Sequence, residues 1–338
     1  MSNTLRFSKR RLLVKALERS GCNRVLSSAP TWQGLLTLNY HRIGHPDDSP
    51  FDHGLWSSTH EEFARQVAYL AKNFDVVGID DLDDVLKKRS GRHVMITFDD
   101  GYRDNYELAF PILRQHRTPA TFFLTTGFLD QPKIAWWDEI AWMVHTSTRS
   151  GLDRNVWTIQ PVDFTTPGSQ DAINVLLSVR KSLKQMEADD YLDFLADATG
   201  SGRCPGHLAE QMWMTWDMVR EMQIAGMGFG GHTVNHPVLT SCPPDDQDRE
   251  IAECLARIES ELREAITAFS YPVGSPAAFD EISRVCLQSR GCRWAFSYYG
   301  QYVSSGRFDR YDLPRVAIES DMSFGEFRSI VGLPQLFA

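Results

Sequence analysis

Short apolar runs that alternate with amphipathic segments constrain the fold of this chain more than any other feature. From about residue 35 onward, the runs are Leu35–Tyr40, Val76–Ile79, Val94–Phe98, Ala120–Thr125, Met227–Phe229, Ala268–Tyr271, Trp294–Phe296 and Leu313–Ile318. Near-continuous apolar runs of this length are typical of parallel strands that are buried on both faces. The pattern predicts an α/β fold, and the number of candidate strands favours a barrel over a doubly wound sheet.

Two segments between these runs carry the signals of amphipathic helices. Thr59 followed by Glu62 has the form of a capping box, in which side-chain oxygens satisfy free N–H groups at a helix start. One apolar stripe then follows at helical spacing, and a second, equally clear one lies later in the chain. The stripes are Phe63, Val67, Leu70, Phe74 and Ile251, Leu255, Ile258, Leu262, Ile266.

The alternation breaks between residues 130 and 214. This segment has a Trp-rich part, then polar residues, then a helical stretch near Ala172–Leu195. We interpret residues 130–214 as an inserted cap on a main domain that covers residues 35–330. Residues 1–34 are predicted to form an N-terminal helix and a linker.

Charge and composition exclude several classes of protein. The chain has 35 Lys and Arg residues against 44 Asp and Glu, and a net charge of −9 argues against a dedicated nucleic-acid binder. No run of about 18 apolar residues predicts a membrane span. The basic residues Lys9–Arg11 precede no apolar signal-peptide core, and the cysteines form no C-x-x-C pair. We therefore expect a cytoplasmic protein, with peripheral contact to the inner membrane as an option for the basic segment.

The strongest chemical signal lies in Met95–Tyr102, where an apolar strand ends in Asp99 and Asp100 followed by Gly101. Sites in α/β folds are built at the carboxyl ends of parallel strands. Adjacent carboxylates repel each other unless a cation or separate roles stabilise them, so one can bind a metal while the other acts as a base. The alternative is that both carboxylates only cap the next helix or fill a turn.

A second signal follows another candidate strand. Gly230–Pro237 contains His232 and His236, whose spacing of four places both rings on one face of a helical turn. Alone, the pair is weak evidence, because core histidines often occur at such spacing. Combined with a strand-end carboxylate, it forms a His₂–carboxylate set with open positions, which suits a metal that activates water.

The segments Thr97–Gly101 (TFDDG) and His232–Pro237 (HTVNHP) resemble the first two motifs of the polysaccharide deacetylases, carbohydrate esterase family 4. The resemblance extends from about Leu36 to Ile318, apart from the insertion. It implies a distorted (β/α)7 barrel with a helical insertion between the first and second motifs. It also implies an enzyme that removes acetyl groups from N-acetylated sugars with a bound divalent metal.

The resemblance assigns roles to individual residues. It makes Asp99 the catalytic base and makes Asp100, His232 and His236 the ligands of a divalent metal, for which zinc is the expected ion. Such a metal lowers the pKa of its bound water and polarises the amide carbonyl, and Asp99 takes the proton of the attacking water.

The third motif of the family departs from its pattern here. In Phe269–Gly274, Ser270 occupies the position of the family's arginine, which orients the base, and Val273 occupies the position of its tyrosine. The backbone N–H of Val273 remains able to stabilise an oxyanion. Arg315, near another strand, is our candidate for the orienting arginine, and an ordinary ion pair is the alternative.

The Leu-x-His motif that supplies the family's general acid is also missing, since no histidine follows His236. His41, at the end of the first candidate strand, resembles the imidazole of a branch of deacetylases with rearranged motifs. We therefore predict that His41 is the general acid, with His45 and His53 in the loop nearby as weaker candidates.

Several aromatic residues are predicted to contact the substrate, because aromatic rings at the rim of carbohydrate sites stack on sugar faces. The alternative for the tryptophans is packing between cap and barrel. The predicted substrate contacts are Tyr102, Trp136, Trp137, Asp138, Tyr271 and Val273.

The sequence thus predicts metal-dependent de-N-acetylation of a saccharide, either a polysaccharide or a lipid-linked precursor in exopolysaccharide or envelope glycan synthesis. One alternative is hydrolysis of another C–N bond, in a cyclic amide, ureide or formamide, on the same barrel. The other is a catalytically inactive barrel that only binds saccharide, for which the missing arginine is the best support.

Overall fold

The computed structural model describes residues 32–338, apart from residues 48, 89, 166–168, 305 and 307. The helix and linker predicted for residues 1–34 therefore lie almost entirely outside the described residues. The strands are β1 (Gly34–Tyr40), β2 (Arg42–Ile43), β3 (Trp56–Ser58), β4 (Asp75–Val77), β5 (Arg92–Phe98), β6 (Thr121–Leu124), β7 (Gly151–Leu152), β8 (Val162–Asp163), β9 (Gly228–Gly231), β10 (Ala268–Ser270), β11 (Trp294–Phe296), β12 (Val303–Ser304) and β13 (Arg315–Ala317).

The α-helices lie between and after these strands. They are α1 (His60–Asn73), α2 (Leu82–Lys87), α3 (Phe110–His116), α4 (Thr126–Asp130), α5 (Trp136–His145), α6 (Gln170–Ser182), α7 (Ala188–Thr199), α8 (Trp216–Ile224), α9 (Pro244–Leu262), α10 (Glu281–Ser289), α11 (Phe324–Gly332) and α12 (Pro334–Phe337). A π-helical turn, Asn105–Ala109, directly precedes α3.

Parallel strands form a ring in the order β1, β5, β6, β9, β10, β11 and β13. The ring closes because Leu313, just before β13, bridges to Phe296 in β11, and β13 pairs with β1. The predicted distorted (β/α)7 barrel is confirmed. All carboxyl ends of these strands lie at one end of the ring, where barrels of this kind carry their sites.

One of the eight predicted strands, Val76–Ile79, is not a full member of the ring, and this explains part of the distortion of the barrel. Strand β4 pairs with residues 93–95 of β5, whereas β6 pairs with residues 97–98 on the same edge. The run predicted over Val76–Ile79 is shorter as a strand, because Ile79 begins a 3₁₀ turn. β4 thus supports the ring without being a full member of it.

The two predicted amphipathic helices are present. The Thr59 side chain accepts a hydrogen bond from the backbone N–H of Glu62 at 3.2 Å and caps α1. Helix α9 buries the second stripe except Ile266, because Arg263 has a φ of +56° and ends the helix. Ile266 is nevertheless buried after the turn.

Within the predicted cap, residues 130–214, the chain forms helices α5, α6 and α7 and the antiparallel pair of β7 and β8. Their buried side chains, such as Ile140, Leu176 and Tyr191, form an apolar cluster of their own, beside the main barrel core. The barrel core itself extends past residue 330, because Val331 and Phe337 are buried in it. The boundaries of the cap at residues 130 and 214 stay a prediction.

Among the described residues, no helix is both long enough and apolar enough to cross a membrane.

Candidate active site

A cavity of about 220 Å³ opens at the carboxyl ends of the barrel strands, between the barrel and the cap. Most of the residues predicted for the site line this cavity. They are His41, Asp99, Asp100, Trp136, Trp137, His232, His236, Tyr271, Val273 and Arg315.

Asp100, His232 and His236 bring their ligand-type atoms together at the bottom of the cavity. Oδ1 of Asp100 lies 3.5 Å from Nε2 of each histidine, and one ligand atom from every residue lies within 4.8 Å of the others. All three side chains are buried, and Oδ1 of Asp100 has no hydrogen-bond partner. Buried acceptors that converge without a donor between them are a chemical fit for a cation.

The two imidazoles are prepared for such a role in different ways. Nδ1 of His232 lies 2.7 Å from the carbonyl oxygen of Ser270, and donation there leaves the Nε2 lone pair directed toward Asp100. The ring of His236 packs against that of Trp137, with centroids 4.4 Å apart. Burial, and then the neighbouring His232, lower the pKa of His236 to about 3, so this ring is neutral at physiological pH.

The loop between the two histidines has an uncommon backbone conformation. Thr233 and His236 have φ values of +67° and +55°, which side chains other than glycine rarely adopt. The buried carboxylate of Glu250 on α9 holds this loop by accepting the backbone N–H groups of Val234 and Asn235 at 2.9 and 2.8 Å. These hydrogen bonds offset the conformational strain that places His236 opposite His232.

Arg315 forms a two-pronged ion pair with Asp99 in the interior of the barrel. Its terminal nitrogens donate to Oδ1 and Oδ2 of Asp99, both at 2.8 Å, and the arginine is fully buried. Burial raises the pKa of Asp99, but the charge and hydrogen bonds of Arg315, together with the charges of His232 and His41, outweigh burial and hold that pKa well below its ordinary value. Asp99 therefore remains ionised, with its two oxygens in a fixed orientation.

Two further polar residues of this interior network were not predicted as site residues. Asn39 in β1 donates to Asp99 at 3.1 Å and accepts from Arg315 at 2.8 Å, and the Ser270 hydroxyl accepts from Arg315 at 2.7 Å. Asn39 interrupts an otherwise apolar run, and this interruption was the available signal. Ser270 stands where the family has its arginine, so a small side chain there makes room for the guanidinium of Arg315.

His41 follows β1 and lines the cavity, as expected from the pairing of β1 with β13. Its backbone N–H donates to Ser57 Oγ at 2.9 Å, and its ring centroid lies 5.8 Å from that of Tyr298. Burial lowers the pKa of His41 below its ordinary value, and the charges of Asp100 and Asp99 oppose this effect only in part. The weaker candidates point elsewhere: His45 faces exposed Glu61, and His53 contacts a backbone carbonyl outside the cavity wall.

Val273 has a φ of +63°, which is a strained conformation for a β-branched residue. It lines the cavity, and its N–H donates to none of the residues that the structure describes. Tyr271 also lines the cavity, but its hydroxyl donates to the carbonyl of Tyr311 at 3.0 Å and its ring stacks on Phe279. A backbone N–H that has no acceptor and lies beside a cavity is suited to donating a hydrogen bond to an oxygen on which negative charge develops.

The structure corrects two predicted substrate contacts. Tyr102 and Asp138 are both fully buried and do not line the cavity. The hydroxyl of Tyr102 donates to Asp138 at 2.7 Å and accepts from the indole N–H of Trp137 at 2.7 Å. Tyr102 and Asp138 therefore hold the indole of Trp137 through this chain of hydrogen bonds, whereas Trp136 and Trp137 themselves line the cavity.

An ionised carboxylate beside a cluster of metal-ligand groups, at the carboxyl ends of barrel strands, is an arrangement suited to metal-assisted hydrolysis. The family model described as polysaccharide deacetylase matches residues 86–186 and 201–291, which is more than half of the chain. The chain therefore belongs to the polysaccharide deacetylase family. His41 and Arg315 lie outside the matched residues.

Individual relatives agree with this assignment. YxkH of Bacillus subtilis (strain 168), whose name places it among polysaccharide deacetylases, is 22% identical over 245 residues. That match covers 72% of this chain and 58% of YxkH, so the chain spans less than two thirds of this relative.

Two solved structures share the fold. The Streptococcus pyogenes deacetylase PplD, in complex with acetate, has a TM-score of 0.57 at 16% identity, covering 92% of this chain and all of that one. A de-N-acetylase from Aggregatibacter actinomycetemcomitans has a TM-score of 0.55 at 16% identity, covering 86% of this chain and 97% of that one. At these identities the likeness establishes the fold alone.

Proposed function

We propose that this protein hydrolyses the acetamido group of an N-acetylated saccharide with the help of one divalent metal ion, for which zinc is the expected ion. The observation that carries the proposal is the cluster of Asp100, His232 and His236 beside the Asp99–Arg315 pair in one cavity. Family membership supports the reaction type, and the name of the de-N-acetylase relative supports an amide substrate.

The residues fit a divalent metal. Asp100, His232 and His236 would hold it, because they offer one carboxylate and two imidazole nitrogens at a buried point that lacks a hydrogen-bond donor. When bound, such an ion polarises the acetyl carbonyl and makes water a stronger acid.

Asp99 is the proposed general base. Its carboxylate accepts the proton of the attacking water, and the pair with Arg315 prevents the carboxylate from rotating away during this step. Because its pKa lies below the ordinary range, Asp99 is ionised before the water arrives. The N–H of Val273 donates to the oxygen of the acetyl group as negative charge develops there.

His41 is the proposed general acid. An amine leaving group must be protonated as the C–N bond breaks, and His41 is the histidine of this cavity that is not part of the metal cluster, among the residues that the structure describes. The ring of Tyr298 limits its rotation by an edge-to-face contact. His41 would therefore donate its proton to the sugar nitrogen.

The substrate that we propose is a polysaccharide or a lipid-linked saccharide precursor of an exopolysaccharide or envelope glycan. Trp136 and Trp137 in the cavity wall provide the apolar faces on which sugar rings stack. A cytoplasmic location, with peripheral membrane contact, is proposed with it. The ion pair of Arg315 with Asp99 supports an active enzyme over the inactive barrel, because it gives the proposed base an arginine that would orient it.

Acetate release from N-acetylglucosamine oligomers of two to six units tests this function. The zinc-loaded protein should release acetate in proportion to enzyme concentration, and Asp99→Asn should release at least about 10²-fold less. Lys72→Gln, an exposed substitution on α1, serves as the matched control and should keep the full rate. No release from any oligomer by the zinc-loaded protein would contradict the proposal.

A further inference from the structure

A second cavity adjoins the candidate active site. It has a volume of about 510 Å³ and shares the wall residues Lys181 and Val273 with the first cavity. Val273 supplies the N–H assigned to the acetyl oxygen, so the two cavities meet beside the bond to be hydrolysed. A saccharide whose acetyl group occupies the first cavity therefore has a neighbouring unit within reach of the second.

The walls of this second cavity, which we call the basic groove, combine apolar side chains with polar groups, and the charged groups among them carry one sign of charge. Two lysines, Lys181 and Lys184, line the groove, and no carboxylate does so among the residues that the structure describes. The remaining polar wall consists of hydroxyl groups. These belong to Ser182, Thr240, Ser241 and Ser275.

Neither lysine of the groove, Lys181 or Lys184, forms an ion pair with another described residue. Exposed arginines elsewhere, such as Arg249 and Arg290, do form ion pairs with nearby carboxylates. The protein atoms around the Lys181 ammonium lower its pKa, and the charge of Asp52 opposes that effect. Asp52 itself accepts hydrogen bonds at Oδ1 from the Gln170 side chain at 2.7 Å and from the Gly54 backbone N–H at 3.0 Å.

A third cation lies close to the active-site cavity. Arg180, next to Lys181 on α6, is only 6% exposed, and its Nε has no hydrogen-bond partner. Its guanidinium carbon lies 5.1 Å from the ring centroid of Trp136, which lines the active-site cavity. The charge of Asp189 acts on Arg180, but no ion pair joins the two among the described residues, and burial still lowers the pKa of Arg180. A buried cation that is only partly compensated is unfavourable, and an anion bound nearby offsets this cost.

Another neighbouring cavity has the opposite character. It shares Tyr298 and Glu319 with the active-site cavity, and Asp321 and Glu326 also line it. Carboxylates repel an anionic ligand, so a charged saccharide would be excluded from this cavity and admitted to the basic groove. The chain has a net charge of −9, so most of its surface is expected to include carboxylates. A groove that is lined by lysines and by no carboxylate among the described residues therefore differs from the rest of the surface.

We propose that the basic groove binds an anionic group, a carboxylate or a phosphate, on a unit next to the sugar that is deacetylated. This inference rests on the proposed function and specifies its substrate as an acidic saccharide. Lys181 and Lys184 bind the anion, and the hydroxyl groups of the groove accept hydrogen bonds from the sugar. Ser182 and Thr240 are suited to this, because each hydroxyl already donates to a backbone carbonyl at 2.7 Å.

Titration calorimetry with ligands that lack an acetyl group tests the groove without turnover. The zinc-loaded protein is titrated with cellotetraose and with a β-1,4-linked tetraglucuronate, which differ only in their carboxylates. Each exposed ion pair contributes up to about 1 kcal/mol, so one pair at this limit makes the tetraglucuronate bind about fivefold more tightly than cellotetraose. Cellobiose 1-phosphate, compared with cellobiose, distinguishes a phosphate from a carboxylate as the preferred anion.

The lysine variants decide whether the groove causes the preference. The double variant Lys181→Gln/Lys184→Gln should bind cellotetraose and tetraglucuronate equally, whereas Lys72→Gln should keep the difference. Equal binding by the unchanged protein, no binding of tetraglucuronate, or a preference that survives the double substitution would overturn the proposal. Acetate release from neutral oligomers is measured on the same preparations. If the protein releases acetate but binds both tetrasaccharides equally, this inference is refuted while the proposed function stands.

Discussion

Arg315→Met removes the positive charge from the interior of the candidate active site while keeping an unbranched side chain there. Arg315 and Asp99 are 0% and 4% exposed, so the variant leaves a buried carboxylate without its countercharge. Breaking a buried pair in this way lowers the free energy of unfolding by about 3–5 kcal/mol. Hydrogen bonds from Arg315 to Asn39, Ser270 and the Ser297 carbonyl are lost as well, which places the expected value toward the upper end.

The same variant should change the pH dependence of acetate release. In the unchanged protein the pKa of Asp99 is depressed below its unfolded value of 3.8. The pair therefore stabilises the fold above about pH 4, and this stability is lost as the pH falls through the folded pKa. Without Arg315, burial is opposed only by the weaker charges of His232 and His41, so the pKa of Asp99 rises and the acid limb of the rate profile should move to higher pH.

Arg290→Met is the matched control, because Arg290 also contacts both oxygens of one carboxylate, that of Asp248. That pair is 42% and 43% exposed, and its loss should lower the free energy of unfolding by less than about 1 kcal/mol. Urea unfolding at pH 7 compares the two variants. The reasoning is refuted if Arg315→Met costs no more than Arg290→Met, or if the acid limb does not move.

Three other residues give independent predictions. His41→Ala should reduce acetate release from an amide at least about 10²-fold and affect an activated acetyl ester much less, whereas equal losses would contradict the acid role. Glu250→Gln should weaken zinc binding about 10–100-fold in a chelator competition, because the loop that carries His236 loosens; unchanged affinity would contradict this. Burial raises the pKa of Asp138 to about 7, above its unfolded value, so its stabilisation is present at low pH and lost as the pH rises through 7. Urea unfolding at pH 5 and pH 8 should therefore show a decline that Asp138→Asn lacks, and identical declines would refute it.

The barrel was predictable from the sequence because its strands are buried on both faces and are therefore apolar along their length. Leu35–Tyr40 and Val94–Phe98 are examples, since both runs match β1 and β5 closely. The position of β4 was not predictable. A run of apolar residues does not reveal that β4 shares one edge of β5 with β6, because that arrangement depends on pairing between distant segments.

The site was predictable where several functional residues are close in the chain. Asp99 and Asp100 are adjacent, and His232 and His236 share one loop, so their chemistry is visible in short motifs. The network around Asp99 joins β1, β5, β10 and β13. The polar Asn39 in an apolar run was a local signal, but the run alone does not show which distant groups Asn39 contacts. Asp138 illustrates the opposite error, because proximity to Trp137 in the chain does not determine which side of the helix faces the cavity.

Zinc stoichiometry in two neighbouring variants tests the central claim most directly. The account assigns Asp100 to the metal and Asp99 to the proton, although both carboxylates are buried within one cavity. After loading and desalting, elemental analysis should find one zinc per chain in the unchanged protein and in Asp99→Asn, and far less in Asp100→Asn. Full occupancy in Asp100→Asn with loss in Asp99→Asn would reverse the assignment, and no zinc in the unchanged protein would contradict the metal centre itself.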